Sequence, residues 1–213
     1  MKAELLEVFG NDTMVCQAAR VSYSKEASNY TDEQNVKLIK YLAKHNHWSC
    51  FAHPKLQFRL TMPIFVERQI IKTQAGVEYN SISGRYVDFS DTYTRIGEWR
   101  NQSTDSKQGS DGPLSDKIQG ACGDVQDKVI KTCKEAYNRL ISLGVSKEQA
   151  RTVLPLNLNT TQIWTGSLYS FIRLCKQRLK PDAQAETRQL VQMMLDQVKE
   201  NGSFKDSLKA YEL

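Results

Sequence analysis

No stretch of this 213-residue sequence approaches the run of about 20 apolar side chains that a helix needs to cross a bilayer. Its opening, M-K-A-E-L-L-E-V, carries acids where a secretory leader would be apolar, so the expectation is a soluble, cytoplasmic chain. Dense Lys/Arg clusters are missing too. With 29 basic against 24 acidic side chains the formal charge is +5, a mild bias toward anionic partners that implies no obligatory nucleic acid. Cysteine is sparse, odd in number and scattered: Cys16, Cys50, Cys122, Cys133 and Cys175 suit reduced thiols rather than a disulfide framework. No internal repeat or coiled-coil heptad is present. With 40% hydrophobic residues the chain can bury a core, and one domain over 1–213 is the expectation.

Residues 2–8 suggest a short first strand. Thr31-Asp32-Glu33-Gln34 has the form of a capping box opening a helix with Val36, Ile39, Leu42 and Ala43 inward. Leu56, Phe58, Leu60 and Met62 alternate with Gln57, Arg59 and Thr61, the period of a half-buried strand. A helix follows from Pro63, which suits a first helical position. Residues 101–116 are polar and rich in Ser, Gly, Asp and Gln, and read as a mobile surface loop. Val125, Val129, Cys133, Ala136, Tyr137, Leu140 and Ile141 make a helical stripe ended by Gly144. Ser146 and Gln149 repeat the capping-box pattern ahead of Arg151. Two later helices are expected, over Thr165–Gln177 and Asp182–Lys199. The fold class is α/β (α+β), helix-rich in its C-terminal half.

Chemistry concentrates in Pro63–Tyr86. Gly76, Asn80, Ser81, Ser83, Gly84 and Arg85 form a segment of small donors ending in a cation, which suits a phosphate as well as it suits an ordinary polar turn. All three histidines fall in H-N-H-W-S-C-F-A-H, His45–His53. With Cys50 they offer four potential metal ligands, but H-x-H-x2-C-x2-H is no standard zinc spacing and the expectation is no metal. Ser83 lacks a sequence-adjacent base that would make it a nucleophile, and Cys133 and Cys175 lie on apolar helix faces. Arg20, Arg85, Arg151 and Arg178 would each, alone, be ordinary surface cations.

Taken together these segments resemble the flavin-dependent thymidylate synthases, whose signature is R-H-R, seven or eight residues, then S-x-R. Here Lys72-Thr73-Gln74 is followed by eight residues and Ser83-Gly84-Arg85-Tyr86. The likeness extends to N-D-x(5)-A-A-R-V-S-Y at Asn11–Tyr23, H-W-S-C-F-A-H at His47–His53, P-I-F-V-E-R-Q at Pro63–Gln69 and A-R-T-V-L-P-L-N-L at Ala150–Leu158. Five blocks in the same order span most of the chain.

The resemblance implies a twisted, mostly antiparallel sheet flanked by helices, in a homotetramer with shared active sites. It implies reductive methylation of dUMP to dTMP, with methylenetetrahydrofolate supplying the carbon and NADPH-reduced FAD the hydride. Arg178 corresponds to the arginine that stabilises the N3-deprotonated pyrimidine, and is the expected catalytic residue. Gln69, Lys72, Ser81, Ile82, Ser83, Gly84, Arg85 and Arg151 fall at dUMP-binding positions. Ser22, His47, Ser49, Lys72, Thr73, Gln74, Ser167 and Arg173 fall at flavin-binding positions. There are departures. K-T-Q for R-H-R removes an imidazole and one guanidinium, Ser81 stands where glutamate is usual, and Asp182 where histidine is common. They leave room for two alternatives: a related pyrimidine modification, hydroxymethylation or a dCMP substrate, and a catalytically silent nucleotide- or RNA-binding homologue.

Overall fold

The structure is a computed structural model and describes residues 1–24, 29–87, 92–104 and 109–213. In chain order its strands are β1 (Lys2–Phe9), β2 (Lys55–Pro63), β3 (Val77–Ser81), β4 (Arg100–Gln102), β5 (Ser110–Pro113) and β6 (Asn159–Ser167). Its α-helices are α1 (Asp12–Arg20), α2 (Asp32–Lys44), α3 (Ile64–Ile70), α4 (Asp116–Ser142), α5 (Lys147–Ala150), α6 (Leu168–Arg178), α7 (Ala185–Asn201) and α8 (Lys205–Ala210). The main sheet has four strands in the order β1-β2-β6-β3, antiparallel throughout, and β4 pairs with β5 separately. This is the mixed, antiparallel, helix-flanked class expected.

The period of two in β2 sends Leu56, Phe58, Leu60 and Met62 to one face, all fully buried. Across the ladder Phe58 faces Trp164, and both rings meet Phe171 of α6. Over these lie Leu174 of α6 and Leu190, Val191, Met194 and Val198 of α7. The opposite face is polar: Gln57 Nε2 donates to Thr165 Oγ1 at 3.0 Å, and the Thr61 and Thr161 hydroxyls pair at 3.1 Å. An antiparallel sheet tolerates such a face without a second helical layer.

Local signals placed most helices. The Thr31–Gln34 capping box is formed in both directions. Gly144, with φ +85°, follows the α4 C-cap in the left-handed conformation that favours glycine. At Ser146 the helix forms, but the side chain does not cap it. The ends of the chain are tied together. Gln197 of α7 accepts from the Leu5 amide and donates to the Ala3 carbonyl, and the Asp12 carboxylate accepts from the Asp206 and Ser207 amides at the start of α8.

Other expectations change, among them the start of the second of the two later helices, since α7 begins at Ala185 rather than Asp182. Thr165–Ser167 belong to β6, because Ser167 caps α6 by accepting from the Ser170 amide, and the helix starts at Leu168. The polar stretch 101–116 carries β5 and the end of β4, and leads into α4, with 105–108 outside the described residues. The α4 stripe is helical, yet Val125 and Val129 are 64% and 46% exposed and only Ile130 and Tyr137 are buried. Its apolar side is only partly covered by the described residues.

Candidate active site

The helix α3 starts where β2 ends, with Pro63 at its N-cap rather than at the first helical position. Its C-terminal turn leaves carbonyls without helical partners. Arg178, the last residue of α6, supplies one: its Nη2 donates to the Gln69 carbonyl at 2.7 Å. That bond fixes the guanidinium plane while its Nε is buried with no partner. A buried donor left open in this way is costly, and the atom offers no accessible surface to a ligand.

Arg178 lines a cleft of about 650 Å³ together with Gln69, Arg100, Gln177, Asp182 and Gln184. Lys180 also lines it as a third cation, and Asp182 is the one carboxylate among its described lining residues. Amides of both polarities and two guanidiniums suit a flat, carbonyl-bearing or anionic ligand. The Gln69 side chain is held from two sides, donating to Gln184 Oε1 and accepting from Thr187 Oγ1.

The other expected site residues are distributed around the fold. Thr73 is buried, and its hydroxyl donates at 3.0 Å to Gln177 Oε1, on the cleft wall; its carbonyl accepts from Tyr79. Lys72 and Gln74 are exposed on either side of it. The expected phosphate segment begins as β3 rather than as loop. Ser81 Oγ donates to Glu67 at 2.9 Å, Ile82 continues the ladder to the Thr161 carbonyl, and Ser83 to Tyr86 form a turn with Gly84 buried inside it. Ser83 Oγ accepts from the Arg85 amide at 3.3 Å, and the Arg85 guanidinium lies over the Tyr86 ring, exposed. Arg151 is exposed in a 3₁₀ turn and donates to the Glu148 carbonyl.

Among the expected flavin positions, Ser22 is exposed on the turn after α1, and His47 and Ser49 on a 3₁₀ turn at Trp48–Ala52. His47 lies near the rings of Tyr41 and His45, and Trp48 near Tyr169, a strip of partly exposed aromatic faces. Such a strip, with the hydroxyl of Ser49 beside it, suits the ring and polar edge of a flavin. Ser167 is buried and shares a hydrogen bond with Ser170, so its hydroxyl is committed to the helix cap. Arg173 is half-buried on α6. The cleft thus gathers Gln69 and Arg178, with Thr73 behind them, but not Ser81–Arg85, Arg151, His47 or Ser49. No group of three or more His, Cys, Asp and Glu with metal-binding geometry occurs among the described residues.

Cysteine chemistry finds little support. Burial pushes the Cys16 thiol up to about 11 and raises Cys175 well above its ordinary range; Cys50 is raised mainly by burial, against a hydrogen bond from Ser49. Arg100 and Gln184, both on the cleft wall, carry no motif, and only the fold brings them there.

An arginine-lined cleft in an antiparallel α/β fold suits a polar planar ligand. The chain belongs to the thymidylate synthase complementing protein family, whose profile matches residues 4–201. It is 37% identical over 196 residues to a flavin-dependent thymidylate synthase of Thermus thermophilus, covering 92% of this chain and 70% of that one. The corresponding enzyme of Kosmotoga olearia is 36% identical over 185 residues, covering 87% and 79%. The fold is shared with a UMP/dUMP methylase from Streptomyces cacaoi crystallised with 5-Br dUMP, at a TM-score of 0.87 and 23% identity, over 99% of this chain and 94% of that one.

Proposed function

We propose that this protein is an FAD-dependent thymidylate synthase. The overall change is dUMP plus methylenetetrahydrofolate plus NADPH and a proton giving dTMP, tetrahydrofolate and NADP⁺. The observation that carries the reading is the Arg178 guanidinium on the cleft wall, anchored through Nη2 on the Gln69 carbonyl. A guanidinium so fixed presents donors in a plane to a pyrimidine carbonyl and the adjacent ring nitrogen. It favours the N3 anion electrostatically. FAD, when bound, supplies the hydride that turns the transferred one-carbon unit into a methyl group. His47, Ser49 and Ser22 hold it, with Lys72, Gln74 and Arg173 as further candidates, and Thr73 acts from beneath through Gln177.

The phosphate of dUMP is held by Ser83 and Arg85, with Ser81, Ile82, Gly84, Lys72 and Arg151 around it. Since these lie outside the cleft of their own chain, we propose a homotetramer in which one subunit's Ser83–Arg85 turn completes the cleft of another. The partly covered apolar side of α4 supports that reading, as does an apolar groove lined by Phe65, Trp99, Val125, Val129 and Leu156. Incubation of FAD-loaded protein with dUMP, methylenetetrahydrofolate and NADPH tests the function. Formation of dTMP with matching NADPH oxidation is expected; a hydroxymethylated product, or turnover of dCMP instead, would overturn it.

A further inference from the structure

Arg100 opens β4 in a segment without any functional signature, yet its guanidinium is held on three sides. Nη2 donates to both Glu186 oxygens at 2.8 and 3.1 Å, Nε to Ser110 Oγ at 2.9 Å, and Nη1 to the Glu98 carbonyl at 3.4 Å. The ion pair is sheltered, with side-chain exposures of 19% and 12%. Burial alone would raise the Glu186 carboxyl, but the Arg100 hydrogen bond, supported by its own backbone and by Gln184, outweighs it and holds the group below its ordinary value. Glu186 is therefore an anion at neutral pH and can only accept.

A fixed acceptor sets the direction of every bond that follows. Glu186 Oε2 accepts from Gln184 Nε2 at 2.9 Å, which turns Gln184 Oε1 toward Gln69. Gln69 Nε2 donates to that oxygen, and its own Oε1 accepts from Thr187 Oγ1 at 3.1 Å. Both amide oxygens are thus turned onto neighbours, and each amide keeps one N–H over. Gln69 and Gln184 line the same cleft as Arg178.

We propose that Arg100 and Glu186 are positioning residues that lock the Gln69 and Gln184 amides with their N–H groups toward the ligand, and so select uracil over cytosine. The inference rests on the cleft being the pyrimidine site. Uracil presents an oxygen at C4, whereas cytosine presents an amino group there. An amide free to rotate serves either, by offering its N–H or its oxygen. An amide locked by a directional chain serves only the acceptor, and leaves the cytosine amino group facing a donor.

Glu186→Gln replaces the acceptor-only end with an amide that can donate, so the chain loses its direction at nearly constant shape. Titration calorimetry of the full-length, FAD-loaded protein with dUMP and with dCMP, alongside kcat, KM and melting temperature, tests it. The dUMP-to-dCMP affinity ratio should fall about tenfold, with KM for dUMP rising more than kcat falls. Arg100→Gln, which acts on the same carboxylate from outside the amide chain, should move the ratio in the same direction, and it decides the matter should Glu186→Gln not fold. An unchanged ratio in a folded variant overturns the inference, and so does an equal loss for both nucleotides, the mark of a merely structural pair. Wild-type protein that binds dUMP tightly while either variant leaves the ratio unmoved overturns this inference alone. Wild-type protein that binds no dUMP, or prefers dCMP, overturns the pyrimidine reading with it.

Discussion

The hydroxyl of Thr73 donates to Gln177 at 3.0 Å, one residue before Arg178. The turn after α3 is thereby tied to the end of α6, the two elements that frame the cleft. In the family signature this middle position is histidine. Here only 4% of the residue is exposed, and no imidazole fits without displacing its neighbours. Restoring the signature by Thr73→His should therefore destabilise the protein, by about 1–3 kcal/mol from overpacking. Thermal unfolding of the variant checks this; an unchanged or higher melting temperature would contradict it.

Arg178→Lys keeps the charge but not the planar fork. Lysine offers one point donor, so either the Gln69 carbonyl or the ligand loses its partner. We expect turnover to fall by about 2–4 kcal/mol in activation free energy, out of proportion to the loss of dUMP binding. Single-turnover flavin oxidation and dUMP affinity, measured together, separate the two effects. A normal oxidation rate in a folded but less stable variant would reduce Arg178 to a cap on α3.

FAD should bind despite the K-T-Q sequence. Removing one charge-assisted contact weakens binding by about 1.5–3 kcal/mol, so partial occupancy on purification is expected and excess FAD should complete it. Ser49→Ala and His47→Ala should each weaken the flavin further without changing the melting temperature of the flavin-free protein. An absorbance titration that shows no flavin binding would sink the cofactor assignment.

Shared sites predict complementation. Arg85→Ala and Arg178→Ala are each expected to be inactive, and a mixture refolded together should regain part of the activity, because some clefts then combine an intact turn with an intact arginine. A fully active monomer in light scattering would rule the arrangement out.

The Glu186 carboxyl is depressed in the fold, so its contribution is present above the ordinary value of 4.5 and is lost as pH falls through the lower folded value. Acidification into that range should weaken nucleotide binding through the loss of the Arg100 pair. Glu186→Gln should lack that component of the acid limb; a pH profile identical to wild type would argue against it.

How much of this was legible beforehand differs by element. The β2 alternation and the Thr31 capping box were plain because their signals are local and their period is short. β6 was missed: Thr160 and Gln162 dilute its apolar face, and Gly166 is there because a Cβ would come within 2.5 Å of the Trp164 ring. β3 hid in a segment whose polarity suggested a loop, since as an edge strand it borrows its order from β6. The arginine of the cleft was legible only through its correspondence to an arginine of the family. Arg100 and Gln184 were not, because their roles come from contacts across 86 and 115 positions of chain, which no local pattern encodes.

The strand order carries a consequence for how this protein acquires its fold. β6 lies between β2 and β3, yet it begins at Asn159, after both have been synthesised. Until it arrives, β3 has no ladder, β2 has only β1, and Phe58 lacks both Trp164 and Phe171. Closing that loop brings its entropy cost before any contact rewards it, so folding should be slow for a chain of this helix content. A nascent or truncated chain ending before β6 would expose the row from Leu56 to Met62, and would depend on chaperones to stay out of aggregates.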